Sequence, residues 1–599
     1  MIDEGWPRRD AQVTQMVLRG ESMNPGMYIS YNSIHSSQWT ESLNELCHHL
    51  SQYNLESLIV DLAKINVMLS TDEDGNMRRR LVSHYLSPNI MARLQEFLNR
   101  PDLPTSKTTV FHKQQLLCLI KLAIMNCTPG TRINLTQRDH WQVGEICLKL
   151  NDTIRPELQV EETDTNDRLL LNLVRILPAY ELGHKPCLWR RISRSYDLFI
   201  KEIPNIRITR TNICFDIAEW FKKCYNFSLD KWQAMVFAIY GVLTEHLYYP
   251  RIDIPCVGNL SNIFRNCAID QATINSCISL LITDISSMRR QLLKQDTQYF
   301  YMDFNSFRGR PLLSVGSDVF TCLDIDFLVD KLYVGLFWEY HDSLGNEEKD
   351  LLHEAFGLAF DNYMESRFNQ LFRDQGGQTI TCGRIKKTNG EEVCDYLVCV
   401  NSTLFLFEFK TSPLNADAKY SYSVEKLRSD LDRKYVQNER GKAKAVRQLV
   451  NAIKYVGSED GRELLSGKGI DLGGIKRIIP IIVTFDECLG LGLVRCYLDR
   501  KFWEHYEMVG CPQEIVVSEL VLLTVEDVEV LESLHLSGRS LFQEIMDYLE
   551  YIGRNRISGF NDYLAQNYNQ VEIPTNERLD NISRSLAESW REILFPGQS

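Results

Sequence analysis

Among seventeen cysteines no two stand as C-x-x-C, and most lie singly in apolar runs, as Cys118 and Cys277 do. This spacing excludes the common zinc and disulfide frameworks; buried free thiols in a reducing cytoplasm are expected instead. His48-His49 beside Cys47 is the one local His/Cys group, and on a helix such neighbours diverge. No apolar run approaches the ~18 residues of a membrane span, so no membrane partner is expected. The acidic opening Met1-Ile2-Asp3-Glu4 lacks the basic and apolar regions of a signal peptide. There is no G-x-x-x-x-G-K-S/T loop, so any ATPase would be a separate subunit, and Gly490-Leu491-Gly492 lacks the third glycine of a dinucleotide fingerprint. The absence of H-E-x-x-H and G-x-S-x-G removes the simplest zinc-protease and serine-hydrolase readings. Positive charge is in deficit too: 66 Lys and Arg face 79 Asp and Glu, a net of −13, which confines any nucleic-acid surface to a local patch.

What is present is an ordinary globular composition, 44% hydrophobic and 24% charged, on a chain of 599 residues that is too long for one core. Residues 1–300 read as a mostly helical region for recognition, regulation or oligomerisation. Apolar residues recur there at helical spacing from Leu43 through Leu46, Leu50, Leu55 and Leu58, and again over Phe215 to Val242 and Ile274 to Leu292. No fixed-period repeat marks a regular solenoid. Polar stretches at Ser70 to Asn76 and Glu161 to Asp167 read as loops. Residues 301–345 read as a strand pair and helix that connect to an α/β domain over 346–530, and residues 531–599 as a helical C-terminal tail.

The chemistry is concentrated in the third segment. Asp395 is followed by Glu408-Phe409-Lys410 at the end of the apolar run Leu404-Phe405-Leu406-Phe407. Residues two apart on a strand share a face, so Glu408 and Lys410 project together while Phe405, Phe407 and Phe409 fill the other side. Val393 to Val400 reads as the preceding strand and Asn401-Ser402 as the turn, which would bring Asp395 and Glu408 together. Charges at the end of a buried strand are costly unless partnered, and a metal ion and a phosphate are suitable partners. Two carboxylates are hard oxygen ligands suited to Mg²⁺ or Mn²⁺. An isolated acid-x-lysine tripeptide is far more often a solvated surface pair, so its neighbours decide its meaning.

Upstream, Phe356, Phe360, Tyr363, Met364, Phe368, Leu371 and Phe372 fall at helical spacing, with Asp361 at the edge of their apolar arc. Downstream, Val446, Leu449, Val450, Ile453 and Val456 mark a second helix with Gln448 on its margin. Ile475 to Phe485 then reads as a strand; Pro480 within it cannot donate to a ladder, which predicts an edge or a bulge. Leu520 to Thr524 is one more strand candidate. The order read from the residues is helix, strand, hairpin strand, helix, strand.

Asp361, Asp395, Glu408-Phe409-Lys410 and Gln448, in this order, resemble the PD-(D/E)XK nuclease superfamily, with Cys394 where its namesake proline stands. The resemblance covers roughly Glu354 to Asp486. It implies an αβββαβ core with a mixed sheet flanked by helices, and a metal-dependent endonuclease acting on DNA, with RNA also open, in a setting such as restriction or antiviral defence. It further implies Asp395, Glu408 and Asp361 as metal ligands, Lys410 as the residue serving the nucleophile, and Gln448 orienting water or substrate. Cleavage of both strands implies a homodimer or a partner protein. Inactive relatives exist, so a nuclease-fold nucleic-acid-binding or scaffold subunit is the alternative.

Between the tripeptide and Gln448 lies a basic insertion, 412–447. From Ser412 to Gln448 nine Lys or Arg face five acids, a local net of +4. Lys419, Arg433, Lys434, Arg440 and Lys444 are expected to contact phosphates, and the interleaved Tyr420, Tyr422 and Tyr435 to pack on bases or sugars. The bland alternative is a solvated helix near Val424 to Val436.

Overall fold

The computed structural model describes residues 27–597 except 36–42, 71–75, 101–107, 132, 154–164, 184–187, 245–255, 296–300, 374–378, 388–389, 511–514 and 569–572. The acidic opening, most of the loop expected at 70–76 and the first half of that expected at 161–167 lie outside the described residues, and helix begins at Thr165.

The first half of the chain is mostly helical. Helices Leu55–Ser70 and Lys113–Asn126 carry apolar residues all round and are buried on nearly every face at the centre of one core. A helix apolar all round needs such a position. Leu313, Leu323 and Phe327, from much later in the chain, complete that core. Strands Leu312–Ser314 and Val319–Cys322 pair antiparallel within a small four-stranded sheet, and helices Ile325–Asp330 and Val334–Ser343 follow.

The second half is an α/β unit. Helix α1, Asn346–Leu371, buries Phe356, Phe360, Tyr363, Met364, Phe368 and Leu371. Strands β1 (Thr379–Lys386), β2 (Glu392–Val400) and β3 (Thr403–Lys410) form an antiparallel meander. Asn401 turns the β2–β3 hairpin at φ 53°, a left-handed conformation that asparagine tolerates. Helix α2, Ala445–Gly457, leads to β4, Arg477–Thr484, which runs parallel to β3. Two shorter strands, β5 (Val516–Val517) and β6 (Val521–Thr524), pair parallel with the far side of β4.

The sheet divides two cores. Phe405, Phe407 and Phe409 point toward α1, where ring centroids of Phe368 lie 4.5 Å from Phe407 and 5.9 Å from Phe409. Leu404 and Leu406 point the other way, into a core shared with α2 and with Leu169, Leu173 and Leu177 of the helix Thr165–Gly183. Each fully buried Phe or Leu stabilises by about 1.5–3 kcal/mol relative to exposure, so both faces of the hairpin contribute.

Pro480 lies neither in an edge strand nor at a bulge. Strand β4 is central, and Pro480 sits in register with Leu406 of β3. On the opposite side the Ile478 carbonyl accepts the Ser518 amide at 3.0 Å, and Pro480, two residues on, presents its nitrogen to that same side. There the neighbour is interrupted: β5 ends at Val517 and β6 begins at Val521. The missing donor faces the gap in the partner, which is how a proline fits a central strand.

After β6 come helix α3, Val525–Leu536, and a last long helix α4, Glu577–Leu594. Helix α4 returns to the first half of the chain: Ser193 donates to the Leu579 carbonyl at 2.7 Å, Ala268 N–H to the Leu594 carbonyl at 2.8 Å, and Trp590 packs on Phe237.

Candidate functional site

The hairpin register builds the site. Tyr396 pairs with Phe407, and one step further along the same register sets Asp395 opposite Glu408. Asp395 accepts the backbone amide of Phe409 at 2.7 Å, which fixes its carboxylate against β3. Glu408 is 1% exposed, and its carboxyl shares a hydrogen bond with Asp395. Lys410 closes the group, with Nζ 2.8 Å from Glu408 Oε2 and 3.7 Å from Asp395 Oδ2.

Two buried carboxylates this close repel when both are ionised. Burial pushes the Glu408 pKa well above the usual carboxylate range, and Asp395 adds to this while Lys410 opposes it. Burial also works against charge on Lys410, but Glu408 and Asp395 outweigh it and raise the ammonium's pKa. Lys410 is therefore the cation that makes the carboxylate pair tolerable.

Asp361 approaches from α1. Its pKa is raised to about 7, by burial first and then by Asp395, with Arg384 and Lys410 opposing. It is in electrostatic reach of the pair but bonded elsewhere: Arg384 of β1 donates to its Oδ2 at 2.6 Å. Register shifts around Gly383 and Ile385 bulge β1 at this point, a distortion that re-aims a side chain. Arg384 is not legible in the sequence because β1 is not, and Glu392, which also acts on Asp361, carries no motif.

Lys444 stands at the start of α2, where burial, and then the charges of Lys410 and Lys442, lower its pKa. It thus joins the site from the insertion side. Gln448 follows one turn later, half-buried, and among the described residues its side-chain amide has no hydrogen-bond partner.

The other basic residues diverge. Lys419 is turned inward, with Nζ 3.5 Å from Cys488 Sγ, 3.6 Å from Asp486 and 3.8 Å from Glu181. Arg433 and Lys434 both bond Asp430, at 2.6 and 2.9 Å. Arg440 is exposed. The tyrosines are interior: Tyr435 is fully buried and donates to the Ser412 carbonyl, while Tyr420 donates to Glu181. They are packed under the insertion, not displayed for bases, and helices Val424–Leu431 and Ala416–Tyr420 form a folded cap on the helix Thr165–Gly183.

Among the described residues no three His, Cys, Asp or Glu side chains are gathered as a metal-binding group. The donor set that is present, Asp395 with Glu408, fits the one or two carboxylates with which Mg²⁺ is usually held, the remaining positions going to water and phosphate oxygens. A buried like-charge pair is also what a divalent cation would relieve. No family model, curated protein or solved structure matches the chain.

Proposed function

We propose that the chain is a metal-dependent nuclease that hydrolyses phosphodiester bonds, with DNA as its substrate. The observation that carries this reading is the convergence of Asp395, Glu408 and Lys410 at the end of one buried hairpin, with the lysine Nζ 2.8 and 3.7 Å from the two carboxylates. Mg²⁺ or Mn²⁺ held there would supply an acidified water and neutralise phosphate charge. Asp395 is aligned for this by the Phe409 amide, and Glu408 by its place opposite Asp395. Lys410 keeps its proton and stabilises charge on the attacking or phosphate oxygen. Lys444 adds a second cation, and Gln448 offers an unengaged amide to water or phosphate.

A second reading, a nuclease-fold scaffold that binds nucleic acid without cutting it, is favoured by the Arg384–Asp361 pair, which engages the third acid. Incubating the protein with plasmid, single-stranded DNA and RNA, with and without Mg²⁺ or Mn²⁺, separates the two. Metal-dependent cleavage that disappears in Asp395→Ala, Glu408→Ala and Lys410→Ala is expected. Cleavage that persists in all three would place the site elsewhere, and no cleavage of any substrate would favour the scaffold.

A further inference from the structure

A second site lies on the other side of the strand ends. A cleft of about 1270 Å³ separates the helical half from the carboxyl ends of β3 and β4, with Thr411 and Phe485 on its floor. Crevices outside the carboxyl ends of parallel strands are the usual ligand positions of open α/β sheets. Asp395, Glu408 and Lys410 do not line it.

Its walls carry seven Lys or Arg and seven Asp or Glu, so the cleft as a whole is neutral and gives a long polyanion little to hold. Nearly all these charges are matched across the cleft: Arg191 with Asp330 at 2.8 Å, Arg308 with Glu181 at 3.2 Å, Lys331 with Glu339 at 2.6 Å. Among the described residues the exceptions are one cation, Arg310, and one acid, Asp342, which is bonded only to the neighbouring His341 at 3.0 Å. The Arg310 guanidinium bonds only carbonyls, Leu280 O at 2.5 Å and Gly309 O at 3.5 Å, and among the described residues no carboxylate pairs with it. Carbonyls orient a guanidinium without cancelling its charge.

Beside Arg310 the wall is aromatic. Tyr225 and Trp220 line the same cleft as Arg310. The Trp220 ring lies 6.1 Å from that of Tyr225 and 5.0 Å from that of Tyr340. Trp338, 39% exposed, adds another ring to the lining. One unmatched cation next to flat rings is a site for one acidic group joined to one planar ring. The volume is at the upper end of common small-molecule pockets and leaves room for a nucleotide as well as for a smaller aromatic acid.

We infer that this cleft binds a nucleoside monophosphate, with the phosphate on Arg310 and the base beside Trp220 and Tyr225. The inference does not rest on the nuclease reading. Calorimetric titration of the full chain with AMP, GMP, CMP and UMP tests it, with the matching nucleosides, inorganic phosphate and phenylacetate in parallel. At least one monophosphate is expected to bind on the order of tenfold or more tightly than its nucleoside, since a charged hydrogen bond is worth that much. Arg310→Gln should lose that advantage, Arg310→Lys should keep most of it, and Glu408→Gln should bind as wild type. Cys224, an exposed thiol on the cleft wall, supplies a readout in the unmodified protein. Bound nucleotide should protect it from maleimide while exposed Cys214, which is not in the cleft lining, reacts unchanged. No binding by any monophosphate, equal binding by phenylacetate, affinity indifferent to Arg310→Gln, or an unprotected Cys224 would each overturn the assignment.

Discussion

Arg384 Nη2 lies 2.6 Å from Asp361 Oδ2, tying the outermost strand of the sheet to the helix that covers it. The pair is partly buried, and its acid is the one beside the hairpin carboxylates whose pKa reaches about 7.

Stability should fall as pH rises through neutrality. Asp361 is raised from 3.8 to about 7 and Glu529, buried against Arg194 and Tyr363, from 4.5 to about 7, burial being the main cause for both. Between those limits the folded chain holds protons that the unfolded chain has released. The stabilisation is fully present below the unfolded values and is lost as pH passes through about 7. Urea midpoints at about pH 5 and pH 8 should show the decline, and Asp361→Asn with Glu529→Gln should make it shallower, with Glu408 supplying the remainder. A decline of unchanged slope in the double variant would remove these two groups as its source.

Lys410→Met should separate chemistry from folding. Removing the one cation between Glu408 and Asp395 strands a buried carboxylate pair, a loss of about 3–5 kcal/mol in metal-free buffer. Mg²⁺ should restore much of that stability, because a divalent ion replaces the missing charge, but cleavage should stay depressed by about 10²–10³. Denaturant titrations with and without Mg²⁺, beside a cleavage assay, give both quantities. A variant equally unstable in both buffers would argue against a metal at this pair.

The basic insertion should divide into two classes of residue. Arg440→Gln and Lys444→Gln should each lower the salt slope of DNA binding by about 0.7–0.9, the release expected per phosphate contact. Lys419→Met should instead lower stability by about 3–5 kcal/mol, since it leaves buried Asp486 without its cation, while Glu181 keeps Arg308. Filter binding from low to high salt, paired with thermal melts, distinguishes the two.

The parts of the fold that were legible in the sequence are those whose period is unambiguous. Helix α1 and helix α2 show their stripes, and the β2–β3 hairpin shows apolar residues on both faces with Asn401-Ser402 between. Strand β1 does not: it carries Gly383, Arg384 and Lys386 at a bulged sheet edge and lacks the continuous apolar run of β2 and β3. With β1 went Arg384, and so the partner of Asp361. The insertion is legible only in part, for a different reason. Its charges and tyrosines could be counted, but whether Lys419 and Tyr435 face solvent depends on the helix Thr165–Gly183, some 250 residues earlier, packing beneath them. Pro480 depended likewise on a break in another strand.

The return of helix α4 to the first half of the chain has a consequence for biosynthesis. Helices Leu188–Ser195 and Leu229–Thr244 are made first, yet part of their apolar surface is covered by Trp590 and its neighbours, which are made several hundred residues later. Until then that surface has no mate. Nascent chains of this protein therefore carry an open seam until α4 is made, a natural holding place for a chaperone, and a ribosome stalled before α4 would leave a product with part of that core exposed.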